Sequence, residues 1–116
     1  MNARITARWE DDPLESPITL DARLDAAGTR IAGREALFGA TGLGSPLCRP
    51  FALDAAGAMD FGAGRPAEDR FWRCDIRQRD IVLGGAFAIV WSGGESGTYV
   101  IEKIAAPGSK TDGRGS

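Results

Sequence analysis

Short segments in which apolar and polar residues alternate recur along the chain, and this alternation restricts the fold more than any other feature. Residues 3–9, 18–25 and 72–77 each show it, with apolar side chains at every second position. A period of two is typical of a β-strand with one buried face. Further apolar runs between glycine-containing turns bring the predicted total to about seven short strands; they lie at 81–83, 86–91 and 98–104.

This pattern predicts a mostly β fold, namely a small antiparallel barrel or sandwich with at most one short helix. For 18–25 a helix is the competing interpretation, since Ser16 suits an N-cap and Pro17 a first helical position. A short helical turn is also considered at 34–38, before a long connecting loop at 39–50 that is rich in glycine and proline. We expect one β-rich domain over 1–104. Residues 105–116 contain no large apolar side chain and are predicted to form a flexible C-terminal tail.

A repeated tetrapeptide predicts two hairpins of similar construction. Asp-Ala-Ala-Gly occurs at 25–28 and again at 54–57, each time directly after a leucine. An aspartate that opens a turn and a glycine that accepts a positive φ are typical hairpin residues. We therefore expect both copies to reverse the chain between strands.

The chain contains no histidine. Histidine is the commonest general base and transition-metal ligand, so its absence removes conventional Ser-His and Cys-His nucleophiles and weighs against a metal centre. Two kinds of catalytic chemistry remain possible: a carboxylate pair drawn from Asp21, Asp54 and Asp60, or a reactive amine at Lys103. We expect a protein that is not an enzyme and that has no cofactor and no metal.

The two cysteines, Cys48 and Cys74, form no CxxC motif. We expect two buried thiols; a disulfide and a single reactive thiol are the alternatives. The first residues lack the apolar core of a secretory signal, and no apolar run approaches the roughly 20 residues of a membrane helix. These features predict a cytoplasmic protein with reduced thiols and no membrane contact.

Charge is nearly balanced, with 14 basic and 16 acidic residues and a net charge of −2. The segment 65–79 combines five arginines with two aromatic residues, a mixture that single-stranded nucleic-acid grooves use. Three acidic residues stand among these arginines, however, and a fourth, Asp80, follows directly. We interpret Arg73, Asp75 and Arg77 as a solvated strand face of alternating sign, and we do not expect a nucleic-acid partner.

The segment 91–99 is the predicted contact surface for another protein. Trp91 and Tyr99 flank a glycine-rich loop that carries Glu95 and Ser96. Aromatic side chains beside a loop are typical interface anchors, although packing into the core is the alternative for both rings. Other candidate contacts lie in the acidic turn and on the charged strand: Glu10, Asp11, Asp12, Arg73 and Arg77.

These observations favour a non-catalytic protein-binding module, such as an inhibitor, an immunity or anti-defence protein, or an adaptor. The short strands and glycine turns of 71–104 resemble the β-barrels of phage head–tail joining proteins. That resemblance implies the alternative of a structural subunit in a phage-like particle, for which self-association is expected. A small barrel that binds single-stranded nucleic acid is the second alternative.

Overall fold

Eight antiparallel strands form one closed barrel in the computed structural model, which describes residues 1–12 and 14–106. The strands are β1 (Asn2–Trp9), β2 (Ile18–Arg23), β3 (Leu37–Thr41), β4 (Arg49–Leu53), β5 (Ala58–Asp60), β6 (Phe71–Cys74), β7 (Ala86–Val90) and β8 (Ser96–Ala105). Each strand pairs with the next in sequence, and β8 returns to pair with β1. The mostly β prediction is confirmed in its barrel form, with eight strands where about seven were expected.

Helical structure is limited to two short 3₁₀ turns within the described ranges, Ala67–Asp69 and Ile76–Gln78. The strand interpretation of 18–25 is therefore confirmed. β2 pairs with β1 in a regular register in which Ile5 faces Leu20. The alternation buries Ala3, Ile5 and Ala7 inside the barrel, because successive strand side chains point to opposite faces.

Apolar side chains fill the interior of the barrel. Seven of them are essentially inaccessible to solvent: Ile5, Leu53, Met59, Ile76, Ile81, Ile89 and Ile101. Each such side chain contributes roughly 1.5–3 kcal/mol through burial. A cavity lined by Ile5, Leu53 and Phe87 has a volume of only about 10 Å³. A single water molecule needs about that much space, so this part of the interior is packed core rather than a ligand chamber.

Both Asp-Ala-Ala-Gly segments form the predicted hairpin turns. The amide of Gly28 donates to the carbonyl of Asp25, and the amide of Gly57 donates to that of Asp54. Both glycines have positive φ, +74° and +96°. The two hairpins differ by one residue. The Asp25 amide bonds to the carbonyl five residues ahead, and the Asp54 amide to the carbonyl four residues ahead.

The expected helical turn at 34–38 is wrong, because β3 begins at Leu37. Gly39 lies within this strand, where a side chain would overlap the Thr19 carbonyl and the Phe51 ring. The glycine that suggested a loop therefore permits close packing inside the barrel. The loop expected from 39 onward is shorter, 42–48.

Three further differences concern strand bounds. Residues 81–83 are not a strand, although Ile81 is buried and its amide bonds to the Thr29 carbonyl. The three-residue strand β5 is too short to show a periodic pattern. β8 continues to Ala105, the first residue of the predicted tail; residues 107–116 of that tail lie outside the described residues.

No helix in the described part of the chain is long and apolar enough to cross a membrane.

Candidate functional site

The connections alternate between the two ends of the barrel, because consecutive strands are antiparallel. The loops 10–17, 42–48, 61–70 and 91–95 lie at one end, here called the upper end. The connections 24–36, 54–57 and 75–85 lie at the other, the lower end. The candidate contact residues of the acidic turn and of the 91–99 hairpin therefore share the upper end.

The structure divides the predicted 91–99 contact surface into a buried and an exposed part. Glu95 and Ser96 are exposed at the hairpin tip. Tyr99 is only 3% exposed and stacks on Phe87, with ring centroids 5.9 Å apart. Burial also raises the pKa of the Tyr99 phenol. The contact role given to Tyr99 is corrected, because its inward position on β8 makes it part of the core.

Trp91 is half-buried and closes the upper end of the barrel together with Trp9. Their rings meet edge to face, with centroids 5.2 Å apart. Both rings lie over the backbone of Gly97. Gly97 thus serves packing within the fold, which accounts for one of the glycines of the predicted glycine-rich loop.

The acidic turn is exposed at Glu10, Asp11 and Asp12. The Glu10 amide bonds to the Thr98 carbonyl, which fixes the start of the turn against β8. Within residues 1–12 and 14–106, no group of three or more His, Cys, Asp or Glu side chains is arranged to hold a metal ion. The turn stays a predicted contact surface.

Arg73, Asp75 and Arg77 do not form the expected row on one strand face, because β6 ends at Cys74. Arg77 instead donates to the carbonyls of Glu35 at 2.8 Å and Asp54 at 2.9 Å. Arg73 donates to a carbonyl of the 54–57 turn, and Asp75 accepts from the β7 backbone at 2.7 Å. These side chains tie together the connections of the lower end, so the predicted row of alternating charge on one strand face is wrong, although Arg73 is exposed.

Both cysteines are free thiols, but they occupy different surroundings. Cys48 lies exposed in the 42–48 loop, outside the barrel wall, so the expectation of two buried thiols is wrong for this residue. Cys74 faces the interior, and burial raises the pKa of its thiol to about 12. A raised pKa disfavours the thiolate, which is the nucleophilic form of cysteine.

The three carboxylates considered for catalysis are not brought together. Asp21 pairs with Arg4 on the outer wall, with contacts of 2.8 and 2.9 Å. Asp54 accepts backbone amides within its turn, which lowers the pKa of its carboxyl. Asp60 forms a two-point ion pair with Arg70 that lowers its pKa to about 2. Each of these carboxylates is thus engaged locally in stabilising the fold.

Arg49 is a residue that the sequence reasoning missed. It lies at the upper end of β4. Because Arg49, Phe51 and Leu53 are alternate residues of this strand, their side chains all point toward the inside of the barrel. Its guanidinium carbon lies 4.7 Å from the centroid of Phe61 and 5.4 Å from that of Trp72. Its Nε is buried and has no hydrogen-bond partner among the described residues. The sequence contained one signal for this residue: the alternation along β4 places a charged side chain on the otherwise apolar face that points into the barrel.

An exposed apolar surface formed by the outer face of β3 and the 42–48 loop was also missed. We call Phe38, Leu43 and Leu47 the apolar face; these side chains are 66%, 50% and 78% exposed. Phe38 and Leu43 line a shallow groove of about 250 Å³, which Cys48 and Pro50 also border. Their positions in and beside a glycine-rich stretch had been interpreted as an ordinary loop.

The geometry defines a class: a closed, eight-stranded, up-and-down antiparallel barrel with a packed interior. It has two exposed candidate surfaces, the apolar face and the acidic turn with the tip of the 91–99 hairpin. Comparison of the chain with models of protein families, with curated proteins and with solved structures finds no significant match.

Proposed function

We propose that this chain is a non-catalytic protein-binding module and that it contacts its partner through the apolar face. The observation that carries the proposal is the exposure of Phe38, Leu43 and Leu47, each at least half accessible to solvent, together with the groove that Phe38 and Leu43 line. Exposed apolar side chains that border a common groove are typical of surfaces that another protein covers.

The barrel architecture favours recognition by side chains over recognition by the backbone. Among the described residues every strand has a neighbour on both sides, so this part of the chain offers no sheet edge to which a partner strand could add. Inside the barrel, the cavity of about 10 Å³ is too small for a metabolite, since small-molecule sites measure roughly 300–1,000 Å³. Contact through the outer wall is the mode that this geometry supports.

The groove beside the apolar face has a polar border that suits a protein partner. Arg4 and Asp21 neutralise each other there and remain about 40% exposed. A partner with an apolar centre and polar rim would match this arrangement, because apolar anchors surrounded by polar groups are the usual anatomy of protein interfaces. The chain's net charge of −2 gives no general attraction to nucleic acid.

Site-specific photo-crosslinking in the source cells tests the proposal. A photoreactive amino acid is placed at Leu47, and in a matched variant at Leu83, which is similarly exposed but lies at the lower end. We expect the Leu47 position alone to form a crosslink to a second protein. That protein is then purified and its affinity is measured against the wild type and against a Phe38→Ser, Leu47→Ser variant.

The double variant is expected to weaken binding by more than about tenfold, because anchors of this kind contribute on the order of 2 kcal/mol each. A Glu95→Lys, Ser96→Arg variant tests the hairpin surface in the same assay. Binding lost only in the hairpin variant would move the contact surface there. Crosslinks solely between copies of this chain would favour the structural-subunit alternative, and salt-sensitive retention on single-stranded DNA would favour the nucleic-acid alternative.

A further inference from the structure

The groove beside the apolar face has a floor that is shielded from water, although it lies on the outer side of the barrel wall. Thr19 of β2 and Ala40 of β3 form a cross-strand pair, and they share the outward side of these strands with Asp21 and Phe38. Phe38 is 66% exposed, but Thr19 and Ala40 are each only 6% exposed. A partner side chain that enters this groove therefore reaches a floor that needs little further desolvation.

The groove has the size and the lining of a subsite for one large apolar side chain. Leu43 and Pro50 line it together with Phe38, and its volume is about 250 Å³. This volume falls below the roughly 300–1,000 Å³ of small-molecule sites. An aromatic side chain buries roughly 150–250 Å² and supplies this contact area with little loss of rotamer freedom.

Arg4 gives the groove a cationic wall that is fixed in orientation. Its Nε and Nη2 donate to the two carboxylate oxygens of Asp21, at 2.8 and 2.9 Å. Asp21 reduces the net charge of the pair, but the two parallel hydrogen bonds also hold the guanidinium plane. The Arg4 side chain stays 40% exposed and borders the groove. Guanidinium groups attract and stack on aromatic faces, whereas an aliphatic side chain gains no such attraction.

We propose that the groove receives an aromatic side chain of the partner protein. The ring packs on Phe38 and Leu43 and lies against the guanidinium of Arg4. This inference rests on the proposed function for the existence of a partner, and it adds the side chain by which that partner is recognised. Aromatic anchors in shielded recesses are the contacts that dominate the affinity of protein interfaces.

The surroundings of the groove favour a polypeptide segment over a free aromatic molecule. Asp21 and Phe38 also line a second, more open groove of about 600 Å³ nearer the lower end. An ion pair between Arg23 and Glu35, 3.1 Å long, borders this second groove. The aromatic anchor therefore lies at one end of a longer trough, and the polar remainder of a partner segment follows the trough past Phe38.

Two peptides of matched shape test the inference on the free protein. One is acetyl-Ser-Phe-Ser-amide; in the other, cyclohexylalanine replaces phenylalanine, so that the ring is kept and its aromatic character is lost. Binding is followed by NMR through the methyl signals of Leu43 and the Nε–H signal of Arg4. We expect saturable shifts of both signals and about two- to fivefold tighter binding of the phenylalanine peptide, the size of an exposed cation–π contact. Apolar burial alone predicts the opposite order, because the cyclohexyl ring is the more apolar of the two.

Three variants separate recognition of the ring from general apolar contact. Arg4→Gln should weaken binding of the phenylalanine peptide alone, so that the two affinities become equal. Arg8→Gln is the matched control, because Arg8 forms a similar ion pair with Glu102 at 2.9 Å and does not line the groove; it should leave both affinities unchanged. Leu43→Ser should weaken the binding of both peptides.

Three results overturn the proposal: no saturable shift with the phenylalanine peptide, binding of the cyclohexyl peptide that is equally tight or tighter, or a phenylalanine preference that persists in Arg4→Gln. These outcomes are distinct from failure of the proposed function, because crosslinking at Leu47 reports whether the apolar face contacts a protein at all. A crosslink at Leu47 without an aromatic preference would keep the contact surface and remove only the aromatic anchor.

Discussion

Trp9 and Trp91 meet edge to face, 5.2 Å between ring centroids, directly over the backbone of Gly97. The contact joins the last residue of β1 to the residue that follows β7, across the intervening strand β8. The pair therefore closes the upper end of the barrel where the first and last strands meet. The absence of a side chain at Gly97 is what permits this arrangement.

Gly97→Ala should destabilise the protein although the backbone at this position accepts alanine. A Cβ there would lie 2.6 Å from Trp91 Cη2 and 2.7 Å from Trp9 Nε1. Overpacking of this kind costs about 1–3 kcal/mol. Thermal unfolding measures the loss. Gly93→Ala is the control in the same hairpin, since its added methyl group would have no other atom within 4 Å, and it should not lower the melting temperature.

The two thiols should react at very different rates. Cys48 is exposed, whereas Cys74 is partly buried against the core and desolvation raises the pKa of its thiol to about 12. A thiol reagent at pH 8 is expected to modify one equivalent quickly and the second only in denaturant. Cys48→Ser should remove the fast phase and Cys74→Ser the slow one. Two equally fast thiols in the native protein would contradict the inward position of Cys74.

Arg77→Gln should weaken the lower end of the barrel. Arg77 donates to the carbonyls of Glu35, Leu53 and Asp54. Losing hydrogen bonds from a charged donor costs about 1.5–3 kcal/mol. Chemical denaturation should show a lower midpoint for this variant, and Arg77→Lys should not restore it, because an ammonium lacks the planar fork. An Arg34→Gln control should match the wild type.

Asp60→Asn should lower stability at neutral pH and lose its effect in acid. Arg70 and the Gly62 amide hold the pKa of the Asp60 carboxyl at about 2, below its ordinary value of 3.8. A lowered folded-state pKa means that the contribution to stability is present above pH 4 and is lost as the pH falls toward 2. Melting temperatures of variant and wild type should converge over this interval. A difference that is constant with pH would contradict the ion pair's role.

The sequence predicted the fold class because period-two alternation is a local property. Ile5 and Leu20 could be placed on inward faces before their partner strands were known. The two Asp-Ala-Ala-Gly turns were predictable for the same reason, since Asp and Gly determine the turn within a few residues. Closure of the sheet into a barrel depends on contacts between β1 and β8, which no local pattern reveals.

The candidate surfaces were harder to predict, because exposure is a tertiary property. Tyr99 and Leu47 both have large, mainly apolar side chains and both lie near glycines in the sequence. Tyr99 nevertheless lies in the core, whereas Leu47 lies on the surface. Side chains alternate along β8 between the two faces of the barrel wall, and Tyr99 falls on the inner face. Leu47 belongs to the 42–48 loop, outside the wall. The role of Arg77 was equally hidden, since its acceptors come from connections 23 and 42 residues away in the chain.

The ladder between β1 and β8 is the last that a growing polypeptide can form. The other seven ladders join strands that follow each other in sequence, but this one places Arg4 opposite Ala105. During synthesis, the inner face of β1 therefore has only one flanking strand until nearly the whole described chain has left the ribosome. Ile5 and Ala7 remain open to solvent or chaperones for that time. The interval between the emergence of β1 and that of β8 thus sets how long an unclosed, aggregation-prone sheet persists in each newly made molecule.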